Sequence, residues 1–394
     1  MRSQHTSGTS SQALSESFII ETVLMDPGLT DIRRHKIPTS QIALKVMQTT
    51  AASAAAITGI LVAILFCFTN GFQDAGANTA TIVASRSLNH RRAAILASAA
   101  GFLGALLGGS AVAFTVFGLI DLQDMGGLLP FVALAAVVGA TIWNLSAWWM
   151  GIPSSSAYAL IGGLMGASFA SIGSRGVQWG LGDLLGASHE LLGVTKVFVF
   201  LLFAIGIGLI GGYVSLRISA LLLKNAKRRT NESIKKAQWL TTAVVAFGAG
   251  ANNAQKHMGI IALLLASYEG TTAFAIPLWV RLACSTALGL GALIGGWRIM
   301  RTLGRVIYQI EPEQGLDSQV VSASSIAIST LAGSPISSTQ VIASSIVGVG
   351  AANNAKKIRW SVGRDMAVSW ILTIPASLLI AGATFLILKI GFNL

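Results

Sequence analysis

Residues 151–166 read GIPSSSAYALIGGLMG, and residues 333–348 read GSPISSTQVIASSIVG. Each places a proline and a run of hydroxyls directly ahead of a small-residue apolar segment. No charged residue lies between Met125 and Ser174, so the first copy is embedded in sequence suited to hydrocarbon. Polar groups at such depth must be satisfied by protein, by a ligand or by water in a cavity. A proline at the first turn followed by hydroxyls is a favourable helix start: serine side chains cap free N–H groups, and the same N–H groups can instead face a ligand. Two such starts are therefore expected, Pro153 with Ser154, Ser155 and Ser156, and Pro335 with Ser337, Ser338 and Thr339.

The composition decides the solvent. Hydrophobic residues make up 53% of the 394 and charged residues 11%, and the mean hydropathy is +0.69. A soluble domain could not hide that much apolar surface. Apolar runs fall at about 55–85, 92–118, 127–150, 153–172, 195–217, 239–267, 273–297, 319–333, 336–352 and 366–390. They are helical in length and lack the short alternating pattern of an outer-membrane barrel. The expectation is an all-α polytopic protein of the inner or plasma membrane, with about 10–12 membrane segments in the bilayer.

The net charge of +12 would suggest nucleic acid in a soluble chain. Here the basic residues gather in short connections instead, at Arg86 to Arg92, Lys224 to Lys236, Arg298 to Arg305 and Lys356 to Arg364, whereas those carrying Asp121 and Asp124, or Tyr268 to Thr272, hold no Lys or Arg. If each run crosses once from outside, all four basic connections fall in the cytoplasm, as the positive-inside rule requires. A nucleic-acid partner is excluded on that ground. Five crossings then precede the long basic connection and five follow it, so the second half is inverted relative to the first. The organisation read from this is a polar tail over 1–50, a first membrane repeat over 51–223, a basic loop over 224–237 and an inverted repeat over 238–394.

A second pair of motifs supports the duplication. GFQDAGANTATI (71–82) and GAGANNAQKHMG (248–259) each open the first run of a half and read as polar interruptions there. Asp74 lies in a stretch without charge from Val46 to Ser85 apart from itself, where a carboxylate is costly unless paired, protonated or bound to a cation. Lys256 is its counterpart, flanked by Asn252, Asn253, Gln255 and His257. A lysine there can neutralise an anion or pair with Asp74. With Asn78 and Asn253, Asp74 also offers hard oxygen ligands for a coupling cation such as sodium. Asn252, Gln255 and Lys256 join the serine starts as substrate ligands; no other cofactor is called for.

Catalytic readings fail. His5, His35, His90, His189 and His257 have no metal-ligand spacing, no phosphate-binding glycine loop follows a strand, and Cys67 and Cys284 read as small buried hydrophobes.

At these residues the chain resembles the inorganic phosphate transporter family, the cation-coupled phosphate permeases. The landmarks are GFQDAGANTATIVASRSL (71–88), GIPSSSAYALIGG (151–163), FGAGANNAQKHMGIIAL (247–263), GWRIMRTLG (296–304), SPISSTQVI (334–342) and the IRW around Arg359. The resemblance implies a secondary symporter with inverted repeats and broken or re-entrant helices, driven by sodium or protons and commonly a homodimer. The family's second polar motif usually carries Asn-Asp where this chain has Asn252 and Asn253. Ala77 stands where it usually has Asn, and Tyr158 and Gln340 where its serine motifs end in His. One carboxylate fewer implies an altered coupling stoichiometry or an altered anion such as sulfate. The rival readings are a permease for another tetrahedral anion and a phosphate sensor that has lost transport.

Overall fold

The computed structural model describes residues 39–150, 154–186 and 189–394; the expectations for Pro153 and for residues 1–38 of the tail lie outside them. The main unit is Ala55–Leu394 and holds every candidate site residue. Its principal helices are α1 Thr39–Ala84, α2 His90–Leu107, α3 Ala111–Phe117, α4 Leu129–Trp149, α5 Ser156–Ile172, α6 Gly193–Leu222, α7 Arg228–Glu269, α8 Leu278–Ile294, α9 Pro312–Leu331, α10 Ser338–Asn354 and α11 Trp360–Phe392.

Among the described residues, five segments are long and apolar enough to cross a membrane: Met47–Ala84, Gly126–Trp149, Ser156–Gly176, Gly193–Leu222 and Trp360–Phe392. The pair α2 and α3, bent by 67° at Gly108 to Ser110, passes the same test when taken together, as a broken span or a re-entrant loop. α8 is apolar but shorter. The other second-half helices, α7, α9 and α10, bury polar faces, so hydropathy alone does not count them.

Several boundaries differ from the sequence reading. The two glycine-rich motifs are not interruptions, since α1 and α7 run unbroken through 71–82 and 248–259. Their glycines serve close packing: a Cβ on Gly71 would sit 2.2 Å from the Leu288 carbonyl oxygen, and one on Gly250 2.2 Å from that of Gly101. The basic loop is helical from Arg228 onward, and helix already begins at Thr39 inside the span assigned to the tail. Pro335 lies two residues ahead of the cap Ser337, outside the first helical turn.

The packing carries the duplication. The α4–α5 hairpin packs against α11, the last helix of the other half, and the α9–α10 hairpin packs against α6, the last helix of the first. Equivalent glycines make both contacts close. A Cβ on Gly166 of α5 would lie 2.0 Å from the Leu378 carbonyl oxygen on α11, and one on Gly348 of α10 would lie 2.2 Å from that of Leu209 on α6. Each half is thus closed by the other, and the two hydroxyl-rich starts are carried into the interior between them.

Candidate functional site

Both serine motifs begin helices in the same way. Ser155 is the N-cap of α5, extended at φ −111° and ψ 114°, and its Oγ accepts from the Tyr158 N–H at 3.4 Å. Ser337 is the N-cap of α10 at φ −100° and ψ 106°, and its Oγ accepts from the Gln340 N–H, also at 3.4 Å. These two hydroxyls are thereby used in capping. Ser156, Ser338 and Thr339 occupy the first helical turns with their hydroxyls free to reach across. Each start carries roughly half a positive charge from the helix dipole, so the pair is a place for negative charge.

The second-half start is met by Asp74. Thr339 Oγ1 donates to Asp74 Oδ1 at 2.8 Å, and Ser338 Oγ donates to Asp74 Oδ2 at 3.3 Å. Asn253 Nδ2 donates to the same Oδ2 at 2.5 Å and also lies 3.3 Å from Ser338 Oγ. Asp74 and Asn253 each stand three residues after the packing glycine of their helix, so Asn253, and not Lys256 as the sequence reading has it, matches Asp74 in position and meets it side by side. The carboxylate is buried and held by three donors, which offset its desolvation.

The first-half start is met by Lys256. Its ammonium, 1% exposed, donates to Ser156 Oγ at 3.3 Å and to the Ile336 carbonyl oxygen at 3.0 Å. Lys256 therefore bridges the two starts, touching α5 at its first residue and the chain just before the α10 cap. Among the described residues the ion pairs within 4 Å are Lys235–Glu232 and Arg364–Asp365, both far from this site in sequence and at least partly exposed. Lys256 and Asp74 share the site without contact.

Asn252 and Gln255, expected as substrate ligands, are occupied elsewhere. Asn252 accepts from the Ile336 N–H at 3.0 Å and donates to the Ser334 carbonyl and to Thr330 Oγ1, each at 3.0 Å. It holds the extended segment that presents the α10 start. Gln255 accepts from the Val112 N–H at 2.9 Å and donates to the Gly108 carbonyl at 2.8 Å, bridging the break between α2 and α3. Both position the site and neither points a spare group into it. Ser154 is buried and lies 3.5 Å from Thr373 Oγ1 on α11.

Other polar atoms have no protein partner. Asn78 Oδ1, Asn253 Oδ1 and both amide atoms of Gln340 are buried without one, and Asp74, Asn78 and Asn253 together line a small cavity. Buried carbonyl oxygens of this kind call for a ligand, water or cation. Tyr158 faces Gln340, so the two positions that depart from the family's histidines are neighbours across the repeat.

A polar file missed in the sequence leads away from Asp74. Asn78 and Thr81 follow it on one face of α1, and Ser85 continues the line one residue past the helix end, about 16 Å from Asp74 along the axis. Gln319 Nε2 donates to Thr81 Oγ1 at 2.7 Å and to Thr242 Oγ1 at 2.9 Å; Ser85 Oγ donates to Gln238 Oε1 at 2.9 Å. Beyond Ser85 opens a cavity lined by Arg86, Lys357, Arg359, Tyr308, Asn353 and Glu311. Thr81 and Ser85 are thus tied to glutamines of neighbouring helices, whereas Asn78 Oδ1 has no partner. The run of hydroxyls and amides at helical spacing after Asp74 was the available signal.

The chain matches the model of a family described as the phosphate transporter family over residues 70–381. It is 37% identical over 328 residues to a protein named "Probable low-affinity inorganic phosphate transporter" from Mycobacterium tuberculosis (strain CDC 1551 / Oshkosh), covering 83% of this chain and 76% of the relative. Proteins of the same printed name are 37% identical in Rhizobium meliloti (strain 1021), over 86% of this chain and 98% of the relative, and 34% identical in Bacillus subtilis (strain 168), over 84% and 97%. A solved structure titled "The sodium-dependent phosphate transporter" shares the fold, with a TM-score of 0.70 at 24% identity, over 86% of this chain and 99% of that one.

Proposed function

The chain belongs to the phosphate transporter family, and on that premise we propose a cation-coupled symporter in which inorganic phosphate binds between the two hydroxyl-capped helix starts. It is a multi-pass plasma-membrane transporter and not an enzyme. The observation that carries the site is that Asp74 and Lys256, one from each half, each bond one of those two starts.

Phosphate entering here exchanges water for the hydroxyls of Ser156, Ser338 and Thr339, the N–H groups of the first turns and the Lys256 ammonium. Phosphate differs from sulfate near neutral pH by keeping a P–OH donor. Asn253 Oδ1, buried without a partner, is an acceptor for that proton, and sulfate would leave it unpaired. Discrimination of this kind is strong because the unpaired buried group costs the full desolvation penalty. A coupling cation fits on the other side of the carboxylate. Asp74 and Asn78 Oδ1 are hard oxygen ligands suited to sodium, with Asn253 Nδ2 holding the carboxylate beside them, and protonation of Asp74 is the corresponding proton-driven arrangement. Asn252, Gln255, Ser155 and Ser337 hold the helix starts in place. Assembly as a homodimer goes with this reading and is checked by light scattering of the purified protein.

Uptake of radiolabelled phosphate into proteoliposomes, under a sodium or a proton gradient, tests the proposal. Accumulation under at least one gradient is expected, with arsenate competing and sulfate failing to compete. Equal competition by sulfate would make the protein a general tetrahedral-anion permease. Binding of phosphate without uptake under either gradient would make it a sensor.

A further inference from the structure

The two repeats place equivalent residues at equivalent helix starts, and one exchange breaks the equivalence. Asp74 of the first half and Asn253 of the second occupy the same repeat position and touch at 2.5 Å. Three residues on, the first half has Ala77 and the second has Lys256. Relative to the first repeat, the second has lost a negative charge and gained a positive one.

The ligands of that positive charge are informative. A backbone carbonyl, Ile336 O at 3.0 Å, and a hydroxyl, Ser156 Oγ at 3.3 Å, are the ligand types that a hard monovalent cation takes. They lie at the junction of two helix starts whose dipoles disfavour an unbalanced cation. The ammonium has no carboxylate within 4 Å among the described residues; Asp74 acts on it from across the site without contact, so part of its burial cost is left uncompensated. A ligand that brings negative charge to the same spot completes the compensation that Asp74 begins, and an ammonium with a third N–H can donate to it.

We propose that Lys256 is a tethered coupling cation: it stands where a second mobile cation would otherwise sit between the helix starts and the substrate, so that each phosphate travels with one mobile cation, held at Asp74. This rests on the phosphate-transport reading above. It makes Lys256 a determinant of coupling ratio as well as of affinity.

The test uses the full chain in proteoliposomes. For the wild type, phosphate uptake should depend hyperbolically on the coupling cation. Sigmoidal dependence, reporting two mobile cations, would overturn the proposal whatever the variants do, whereas no uptake at all would instead sink the transport reading. Lys256→Ala should lower uptake at low phosphate about ten- to a hundredfold, with part of the loss recovered at high sodium. Asn253→Asp combined with Lys256→Ala returns a carboxylate to the emptied place. That double variant should recover uptake and show sigmoidal cation dependence, with the cation-to-phosphate ratio raised by one in reversal-potential measurements. An active Lys256→Ala or double variant with the wild-type ratio would count against the idea. So would inactivity of both that no cation relieves, in protein that remains monodisperse and binds phosphate.

Discussion

The two helix starts share a backbone and differ in their partners. Ser155 and Ser337 cap with nearly the same dihedrals and the same 3.4 Å bond, yet α10 is met by a carboxylate and α5 by an ammonium. The hairpins behind them diverge likewise. α4 buries Phe131, Val132, Leu134 and Val137, whereas α9 buries Ser318, Gln319, Ser322 and Ser325. Duplication has kept the geometry that an inverted repeat needs for two-sided access, and the chemistry has been divided between the copies. The acid, the polar file and the polar hairpin lie together on the α1–α9 side.

The largest test of that division is Asp74→Asn. The substitution keeps shape, removes the charge and turns an amide toward the Asn253 Nδ2 donor. Three charge-assisted bonds are weakened at about 1.5 kcal/mol or more each, so phosphate uptake should fall roughly a thousandfold. Expression and monodispersity should be retained. Normal uptake would mean that the acid is structural and that the division between the halves carries no mechanism.

The next test breaks the symmetric part of the comparison. Gly166→Ala forces a methyl against the Leu378 carbonyl, and Gly348→Ala does the same against that of Leu209. Neither obstacle is a flexible side chain, so each helix pair must separate. Each variant should lose about 3 kcal/mol, the upper end for overpacking, and thermal unfolding in detergent would report it. Similar losses in the two variants are expected from equivalent interfaces. A loss in one alone would show that the other hairpin can shift without cost.

Asn253→Asp sharpens the comparison at its centre by making the repeats alike. Two carboxylates at hydrogen-bond distance cannot both stay charged without a cation or proton between them. With Lys256 still present as the fixed cation, uptake should stay hyperbolic in the coupling cation, with half-saturation moved by about tenfold, or about 1.4 kcal/mol. Unchanged sodium and pH dependence would show that position 253 takes no part in coupling.

Much of this was readable beforehand. The serine pair, Asp74 and Lys256 could be picked out because polar residues in a long apolar context have few innocent explanations, and because each motif occurs once per half. Helix continuity was not readable. Glycine serves either to break a helix or to let two helices approach, and GFQDAGAN looks the same in both cases. The carbonyls of Leu288 and Gly101, far away in sequence, decide for close approach, while the real break falls at Gly108–Ser110, where Gly109 takes φ +87°. For the same reason Asn252 and Gln255 were indistinguishable from Asn253 in the sequence. All three are amides in one motif, but helical rotation turns the first two toward neighbouring backbone and the third toward Asp74.

The smallest effect separates position from chemistry within one serine triplet. Ser155→Ala and Ser337→Ala each remove a cap hydroxyl that bonds only its own helix N-terminus, which costs about 1 kcal/mol. Each should lower thermal stability slightly and leave phosphate half-saturation nearly unchanged. Ser156→Ala and Ser338→Ala, one residue along, should show the reverse, with weakened phosphate affinity and little change in stability, because those hydroxyls reach Lys256 and Asp74. If neighbouring serines gave the same profile, the one-residue rotation that separates cap from ligand would not govern the site. The two starts would then be electrostatic N-termini without a specific hydroxyl role.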